Sequence, residues 1–201
     1  MNLPNKLTMF RVILIPVMVV IANIGYLNTN PIFGNVSYAN FFNLLIFVVA
    51  STTDFLDGAI ARKCNLVTTF GKFADPLADK LLVISAMVVL CTQIQALAPS
   101  YTWFIPAWVI ITILCREFIV SGIRLVAVER GTVIAAGFTG KLKTFTTMVA
   151  IIFLFLYQVK IADIPVFGYI GAFLMYLALL FTIISGVEYF WKNRKVILES
   201  I

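Results

Sequence analysis

The sequence predicts an all-α integral membrane protein with six transmembrane helices and both termini in the cytoplasm. Of its 201 residues, 62% are hydrophobic and 12% are charged, whereas a soluble domain is about 45–50% apolar and about 25% charged. The apolar residues form six runs, and the breaks between them are rich in Pro, Gly, Asn and Ser. This length suits a single membrane domain, residues 1–201, without a separate soluble module.

Each of the six runs is read as one membrane span. A helix needs about 20 residues to cross the bilayer, and helices are expected because lipid offers the backbone no hydrogen-bond partners. Lys6 and Arg11 flank the first run, but no small-residue cleavage site follows it, so we expect a retained span rather than a signal peptide. The runs cover approximately 7–27, 41–62, 74–98, 101–128, 144–159 and 164–190.

The second run shows how charge enters this apolar sequence. Its uncharged part, 41–53, has only 13 residues, which is too short for a span. Continuing the helix through Arg62 extends it to 22 residues. The sequence therefore predicts that Asp54 and Asp57 lie inside the second helix, near one membrane face.

The charges of the breaks predict the orientation. Breaks 28–40 and 98–101 contain no charged residue, whereas the opposite side collects most of the basic residues. Positive residues favour cytoplasmic loops, so that side is predicted to be cytoplasmic, and an even number of spans places both termini there. The basic residues are Lys6, Arg11, Arg62, Lys63, Lys72, Lys80, Arg130, Lys141, Lys143, Lys192, Arg194 and Lys195.

The composition also excludes some chemistry. The chain has no histidine, which removes the commonest general base and the commonest zinc ligand. Its three cysteines, Cys64, Cys91 and Cys115, are far apart and show no metal-binding or disulfide spacing. We expect them to be packing residues in a reducing environment.

Four of the nine acidic residues lie close together in the sequence: Asp54, Asp57, Asp75 and Asp79. Residues three or four apart share a helix face, so each pair points in one direction. The connection between the two helices is short, so we expect antiparallel neighbours that bring both pairs to the same depth. Four ionised carboxylates repel one another and need a cation. All-oxygen ligation suits Mg²⁺, Mn²⁺ or Ca²⁺, and four carboxylates can hold two metal ions about 3.5–4 Å apart.

Small residues accompany the aspartates. Gly58 and Ala61 lie on or beside the carboxylate face, and Gly71 lies one turn from the second pair, so a ligand has room against the backbone. Arg62 can reach a phosphate or neutralise an aspartate. The alternative is an ion-paired helix end, which does not require this run of small residues. Intramembrane carboxylates are costly and usually functional, which favours a binding site.

The pattern D-x2-D-G-x2-A-R-x8-G-x3-D-x3-D, from Asp54 to Asp79, resembles the signature of the CDP-alcohol phosphatidyltransferases, and every fixed position is met. The resemblance implies a six-span helical enzyme, often a homodimer, that displaces CMP from a CDP-linked lipid or alcohol with an acceptor hydroxyl. It implies that Asp54, Asp57 and Asp75 ligate metal, with Asp79 completing the site and also acting as the general base. The expected cofactor is Mg²⁺ or Mn²⁺, with two divalent ions. The implied nucleotide-binding residues are Asp54, Gly58, Ala61, Arg62, Thr68 and Gly71.

A second polar set lies in the fourth and fifth runs. Arg116 is too deep in its run to be a simple boundary charge, and Arg124 lies eight residues further along. With Lys141 and Lys143 they form a candidate anion pocket, which a phosphorylated acceptor would fit and a neutral one would not need. The alternative is that Arg116 pairs with Glu117 or an aspartate, and that the two lysines are cytoplasmic flanking charges.

The segments "FGKFADPLADKLL", "REFIVSGIRLVAVERG" and "GKLKT" are similar to bacterial members of the family that join sn-glycerol 3-phosphate to CDP-diacylglycerol, giving phosphatidylglycerophosphate and CMP. This resemblance implies that Arg116, Arg124, Lys141 and Lys143 hold the acceptor phosphate. It also implies a bacterial plasma-membrane protein with its active site facing the cytoplasm and no nucleic-acid partner.

Three points stay open at this stage. Asn5, Thr8 and Arg11, in the similar segment "LPNKLTMFR", either border the site or serve as a helix-start cap and a flanking cation. The acceptor is alternatively serine or inositol phosphate. A rival from another class is a divalent-cation transporter with the aspartates as its permeation site, although such a path gains nothing from Arg62 at its mouth.

Overall fold

The computed structural model describes residues 3–33, 36–64, 69–129, 137–159 and 165–198. In these ranges the chain is almost entirely helical. A short antiparallel ribbon, β1 (Pro31–Phe33) and β2 (Val36–Ser37), lies between the second and third helices, and a 3₁₀ helix covers Pro99–Phe104. The α-helices are α1 (Leu3–Asn23), α2 (Gly25–Thr29), α3 (Tyr38–Cys64), α4 (Thr69–Leu97), α5 (Ala107–Glu129), α6 (Phe138–Val159) and α7 (Val166–Leu198).

The all-α membrane class is confirmed. In the described part of the chain, five segments are long and apolar enough to cross a membrane: Asn5–Asn23, Ala74–Ala96, Pro99–Leu125, Phe138–Val159 and Val166–Lys192. Helix α3 is not among these five. Its uncharged stretch is short because charged residues begin at Asp54.

The predicted course of the second helix is confirmed. Helix α3 runs for 27 residues without interruption and continues through Asp54 and Asp57. Helix α4 likewise contains Asp75 and Asp79, and it continues past Pro76, which lies between them. Both aspartate pairs are therefore on helices, as their spacing predicts.

Several boundaries differ from the prediction. The fifth segment was expected to start at residue 144, but α6 begins at Phe138, so Lys141 and Lys143 lie within its first turns. The break at 28–40 contains the end of α2, the β-ribbon and the first residues of α3. The fourth run is divided between the 3₁₀ helix and α5, with Pro106 directly before α5, because proline cannot donate the backbone hydrogen bond of a helix interior.

The core lies between the helices, and an aromatic cluster closes the end remote from the aspartates. Phe47 of α3 and Phe155 of α6 are fully buried, with ring centroids 5.8 Å apart. Phe104 packs against Tyr157 and Tyr169, at 5.2 and 5.4 Å between centroids. Gly168 permits this contact, because a Cβ at that position would lie 2.2 Å from the Phe104 ring.

Candidate active site

Helix α1 packs against both aspartate-bearing helices and contributes two polar side chains to them. The Arg11 guanidinium forms an ion pair with Asp54 of α3. The Thr8 hydroxyl donates a hydrogen bond to Asp75 Oδ1 of α4. Both α1 side chains are buried. Residues 8 and 11 share a helix face, so a single face of α1 contacts one member of each aspartate pair.

Asp79 links the aspartates to the second polar set. Its Oδ1 is buried, and no residue in the described part of the chain donates a hydrogen bond to it. The charged groups that act on it come from both sets: Asp54 and Arg11 from the first, and Glu117 and Lys143 from the second. The two sets that the sequence presents separately therefore meet at Asp79.

The donor set fits a hard divalent cation. A buried carboxylate oxygen without a partner, at Asp79, is costly unless it binds a cation or a hydrogen-bond donor, and oxygen ligands suit Mg²⁺ or Mn²⁺. In the described residues no group of three or more His, Cys, Asp or Glu side chains lies close enough to hold a metal ion. The side chain of Asp57 lies outside the described part, and it is the predicted further ligand.

The predicted nucleotide pocket can be placed only in part. For Gly58, Ala61 and Arg62 the structure describes only the helical backbone, and Thr68 lies outside the described residues. Gly71 is described; it is buried in the first turn of α4. These five residues therefore remain a sequence-based prediction for the nucleotide site.

A cavity of about 370 Å³ opens beside Asp79, between α4, α5, α6 and α7. Polar and charged side chains form much of its wall. Its acidic residues in the described structure are Asp79, Glu117 and Glu188, and its basic residues are Lys80, Arg116, Arg124, Lys143 and Lys192. Five basic residues against three acidic ones give the described lining a net positive charge, which favours an anion.

Arg116 is held by residues of two helices. Its Nη1 donates to Glu117 Oε1 at 3.0 Å, and its Nη2 donates to Ser185 Oγ of α7 at 2.8 Å. Its Nε is buried and bonds to no residue in the described ranges. A Cβ at Gly186 would lie 3.2 Å from Arg116 Cγ, so this glycine makes room for the arginine. The pairing with Glu117 that the alternative interpretation predicts is present. Arg116 also lines the cavity, and its role in anion binding stays a prediction.

The other predicted acceptor-site cations divide into two groups. Lys143 is buried and forms an ion pair with Glu117, and the Arg124 guanidinium lies 5.5 Å from the centre of the Tyr189 ring. Both residues line the cavity, whereas Lys141 is exposed and is not part of its described lining. Lys141 and Lys143 are two residues apart on α6, which places them about 200° apart around the helix.

The structure adds cavity residues that the sequence analysis did not single out for this site. Lys80 lines the cavity and donates a hydrogen bond to Ser121 of α5. It forms no ion pair with an aspartate in the described part of the chain. Glu188 Oε2 accepts a hydrogen bond from Thr139 at 2.9 Å, and its Oε1 pairs with Lys192. The available signal was "SGVEY", a polar interruption in the otherwise apolar last run.

The chain is similar to known proteins over nearly its whole length. The family model described as CDP-alcohol phosphatidyltransferase matches residues 1–184. A Bacillus subtilis (strain 168) protein is 40% identical over 205 aligned positions, covering 99% of this chain and 98% of the relative. A Rickettsia typhi protein is 40% identical over 189 positions (94% and 95%), and one from Shigella flexneri serotype 5b is 35% identical over 203 (99% and 98%). All three are named "CDP-diacylglycerol--glycerol-3-phosphate 3-phosphatidyltransferase".

Proposed function

Because the chain belongs to the CDP-alcohol phosphatidyltransferase family, we propose that it transfers the phosphatidyl group from CDP-diacylglycerol to sn-glycerol 3-phosphate, with CMP as the leaving group. This is the reaction for which its relatives are named. The observation that carries the choice of acceptor is the basic cavity directly beside Asp79. The product, phosphatidylglycerophosphate, is an anionic phospholipid.

The cavity accounts for the selection of a phosphorylated acceptor. Arg116, Arg124 and Lys143 all line one cavity of about 370 Å³. Arginine offers paired donors that match a phosphate, and lysine adds a compact positive charge. A neutral acceptor such as serine would leave these cations without a ligand. Lys141 is on the exposed side of α6, so its contribution is limited to long-range attraction.

The metal site is proposed to hold two divalent ions, Mg²⁺ or Mn²⁺, with Asp54, Asp57, Asp75 and Asp79 as ligands. When bound, the ions would polarise the pyrophosphate of the donor and stabilise the CMP leaving group. Arg11, which lies on α1, adds a positive charge beside Asp54 of α3. The cytidine nucleotide is proposed to lie against the small residues of the pattern, namely Gly58, Ala61, Arg62, Thr68 and Gly71, with Asp54 beside them.

Asp79 is proposed as the general base. Asp79 lines the cavity together with Lys143 and Glu117, and its buried Oδ1 has no hydrogen-bond partner among the described residues. An acceptor whose phosphate contacts Arg116 can present its terminal hydroxyl to Asp79. Asp79 accepts the hydroxyl proton, the hydroxyl oxygen bonds to the phosphorus of the phosphatidyl group, and the bond to CMP breaks. A positioned carboxylate acting in this way contributes about 10²–10⁴-fold to a rate.

The membrane arrangement is proposed as a single domain, 1–201, with six spans and both termini and the active site on the cytoplasmic side of a bacterial plasma membrane. The sixth span is α3, whose 27 residues give a helix of about 40 Å, longer than the bilayer core of about 30 Å. The distribution of basic residues supports the orientation. A homodimer is proposed from the family resemblance.

An acceptor panel tests this function. Purified protein receives CDP-diacylglycerol, Mg²⁺ and one of sn-glycerol 3-phosphate, glycerol, serine or inositol phosphate, and CMP release is measured. We expect release with sn-glycerol 3-phosphate and little with the other three. Release with serine or inositol phosphate but none with sn-glycerol 3-phosphate would refute the proposed acceptor. Divalent-metal flux into liposomes without lipid conversion would instead support the transporter alternative.

A further inference from the structure

Glu117 occupies a position that phosphate binding alone does not explain. It is a carboxylate in the wall of a cavity built from cations, where its negative charge opposes the binding of an anion. It lines both the main cavity and a smaller adjoining one of about 50 Å³, and Asp79 and Lys143 line both as well. Glu117 therefore shares both cavities with the proposed base and is paired with two of the cations proposed to hold the acceptor phosphate.

The two oxygens of Glu117 are used differently. Oε1 accepts from Arg116 Nη1 at 3.0 Å and from Lys143 Nζ. In the described part of the chain, no residue donates to Oε2. Glu117 lines the cavity and its side chain is 19% exposed, so the carboxylate has accessible surface for a ligand.

The other carboxylates near the cavity are already engaged. Both oxygens of Glu188 are bonded, Oε1 to Lys192 and Oε2 to Thr139. Asp79 is assigned to the reacting hydroxyl. Lysine and arginine side chains have no acceptor, so the cations cannot receive a hydrogen bond from a ligand hydroxyl. Among the described carboxylates that line the cavity, Glu117 is thus the one with an oxygen available for a second hydroxyl.

We propose that Glu117 is a specificity-determining residue, whose Oε2 accepts a hydrogen bond from the hydroxyl on the middle carbon of the acceptor. The inference rests on the proposed function, and it defines the acceptor class as a short phosphomonoester that carries two neighbouring hydroxyl groups. With the phosphate at Arg116 and Lys143 and the terminal hydroxyl at Asp79, the middle carbon of sn-glycerol 3-phosphate lies over Glu117. Its hydroxyl then meets a charged acceptor.

The test combines a substitution of Glu117 with removal of the acceptor hydroxyl that Glu117 is proposed to bind. Wild type and Glu117→Gln are each given sn-glycerol 3-phosphate or 3-hydroxypropyl phosphate, which lacks only the middle hydroxyl, and kcat/KM is measured from CMP release. A hydrogen bond to a charged group predicts that wild type prefers the natural acceptor by about 10–100-fold. We expect the preference of Glu117→Gln to fall to about threefold or less, because the charged hydrogen bond is lost.

A purely structural role gives a different result. If Glu117 only holds Arg116 and Lys143 in place, the substitution lowers kcat/KM for both acceptors by the same factor and the preference does not change, which would overturn the proposal. Glu188→Gln is the matched control, since it removes another cavity carboxylate whose two oxygens are already bonded. We expect it to keep the wild-type preference.

The wild-type measurement keeps the proposal testable even where a variant fails to fold. Equal kcat/KM for the two acceptors in wild type would overturn the role of Glu117 while leaving the proposed function intact. No CMP release with sn-glycerol 3-phosphate in wild type would overturn the proposed function itself. Glu117→Asp serves as a second variant: it keeps the charge but withdraws the oxygens by one methylene, so it should lose most of the preference.

Discussion

Adding one methyl group at Gly186 should weaken the binding of the acceptor without affecting the lipid donor. The new Cβ would lie 3.2 Å from Arg116 Cγ and 3.8 Å from its Nε, so the arginine must move by a few tenths of an ångström. That movement stretches its hydrogen bonds to Ser185 and Glu117, which are 2.8 and 3.0 Å long. Impairing one charge-assisted hydrogen bond costs about 1.5 kcal/mol, which is about a tenfold change in an equilibrium constant.

The assay is steady-state CMP release by Gly186→Ala, with each substrate varied while the other is saturating. We expect KM for sn-glycerol 3-phosphate to rise about tenfold and KM for CDP-diacylglycerol to stay unchanged. Gly122→Ala on α5 is the matched control, because a Cβ there meets no atom within 4 Å. An alanine is also a better helix former than a glycine, so unfolding is not the expected cause of a loss. An unchanged acceptor KM, or an equal rise in both KM values, would refute this account of Arg116.

Three further predictions concern the proposed base, the two lysines of α6 and the aromatic cluster remote from the site. Asp79→Asn should lower kcat by about 10²–10⁴-fold while CDP-diacylglycerol binding stays measurable, and normal turnover would remove Asp79 as the base. Lys143→Ala should raise KM for sn-glycerol 3-phosphate about tenfold or more, since a charge-assisted contact is lost. Lys141→Ala, at an exposed position, should change this KM little. A larger effect of Lys141→Ala than of Lys143→Ala would contradict the described orientation of α6. Gly168→Ala should destabilise the protein by about 1–3 kcal/mol, measured as a lower unfolding temperature in detergent, because its Cβ would overlap the Phe104 ring. KM of Gly168→Ala for sn-glycerol 3-phosphate should remain that of wild type. A raised value would mean that the contact between Gly168 and Phe104 is coupled to the site.

The aspartate-bearing helices could be predicted from the sequence because the relevant information is local. A 13-residue uncharged stretch cannot span a bilayer, so α3 had to continue through Asp54 and Asp57, as it does. Spacings of three and four residues place each pair on one helix face whatever surrounds the helix. The same local reasoning identified Arg116 as a site residue, since a charge deep in an apolar helix needs a partner.

Contacts between distant segments were less accessible. Whether Thr8 and Arg11 are site residues or simple flanking groups was open in the sequence; their contacts with Asp75 and Asp54 depend on how α1 packs against α3 and α4. No residue of the last apolar run was predicted to belong to the site, yet α7 supplies Ser185 to hold Arg116. No periodicity within α7 indicates which helix it will contact.

Membrane class, helix identity and the carboxylate faces follow from the sequence alone, because hydropathy and the helical repeat act over one or two turns. Three features required the packed structure. They are the meeting of the two polar sets at Asp79, the separation of Lys143 from Lys141, and the pairing of Glu117 with both Arg116 and Lys143. Each of these depends on where a helix starts and how it is rotated against its neighbours. Side-chain packing between segments far apart in the chain sets that rotation, and it brings Asp79 and the basic residues of three other helices around one cavity.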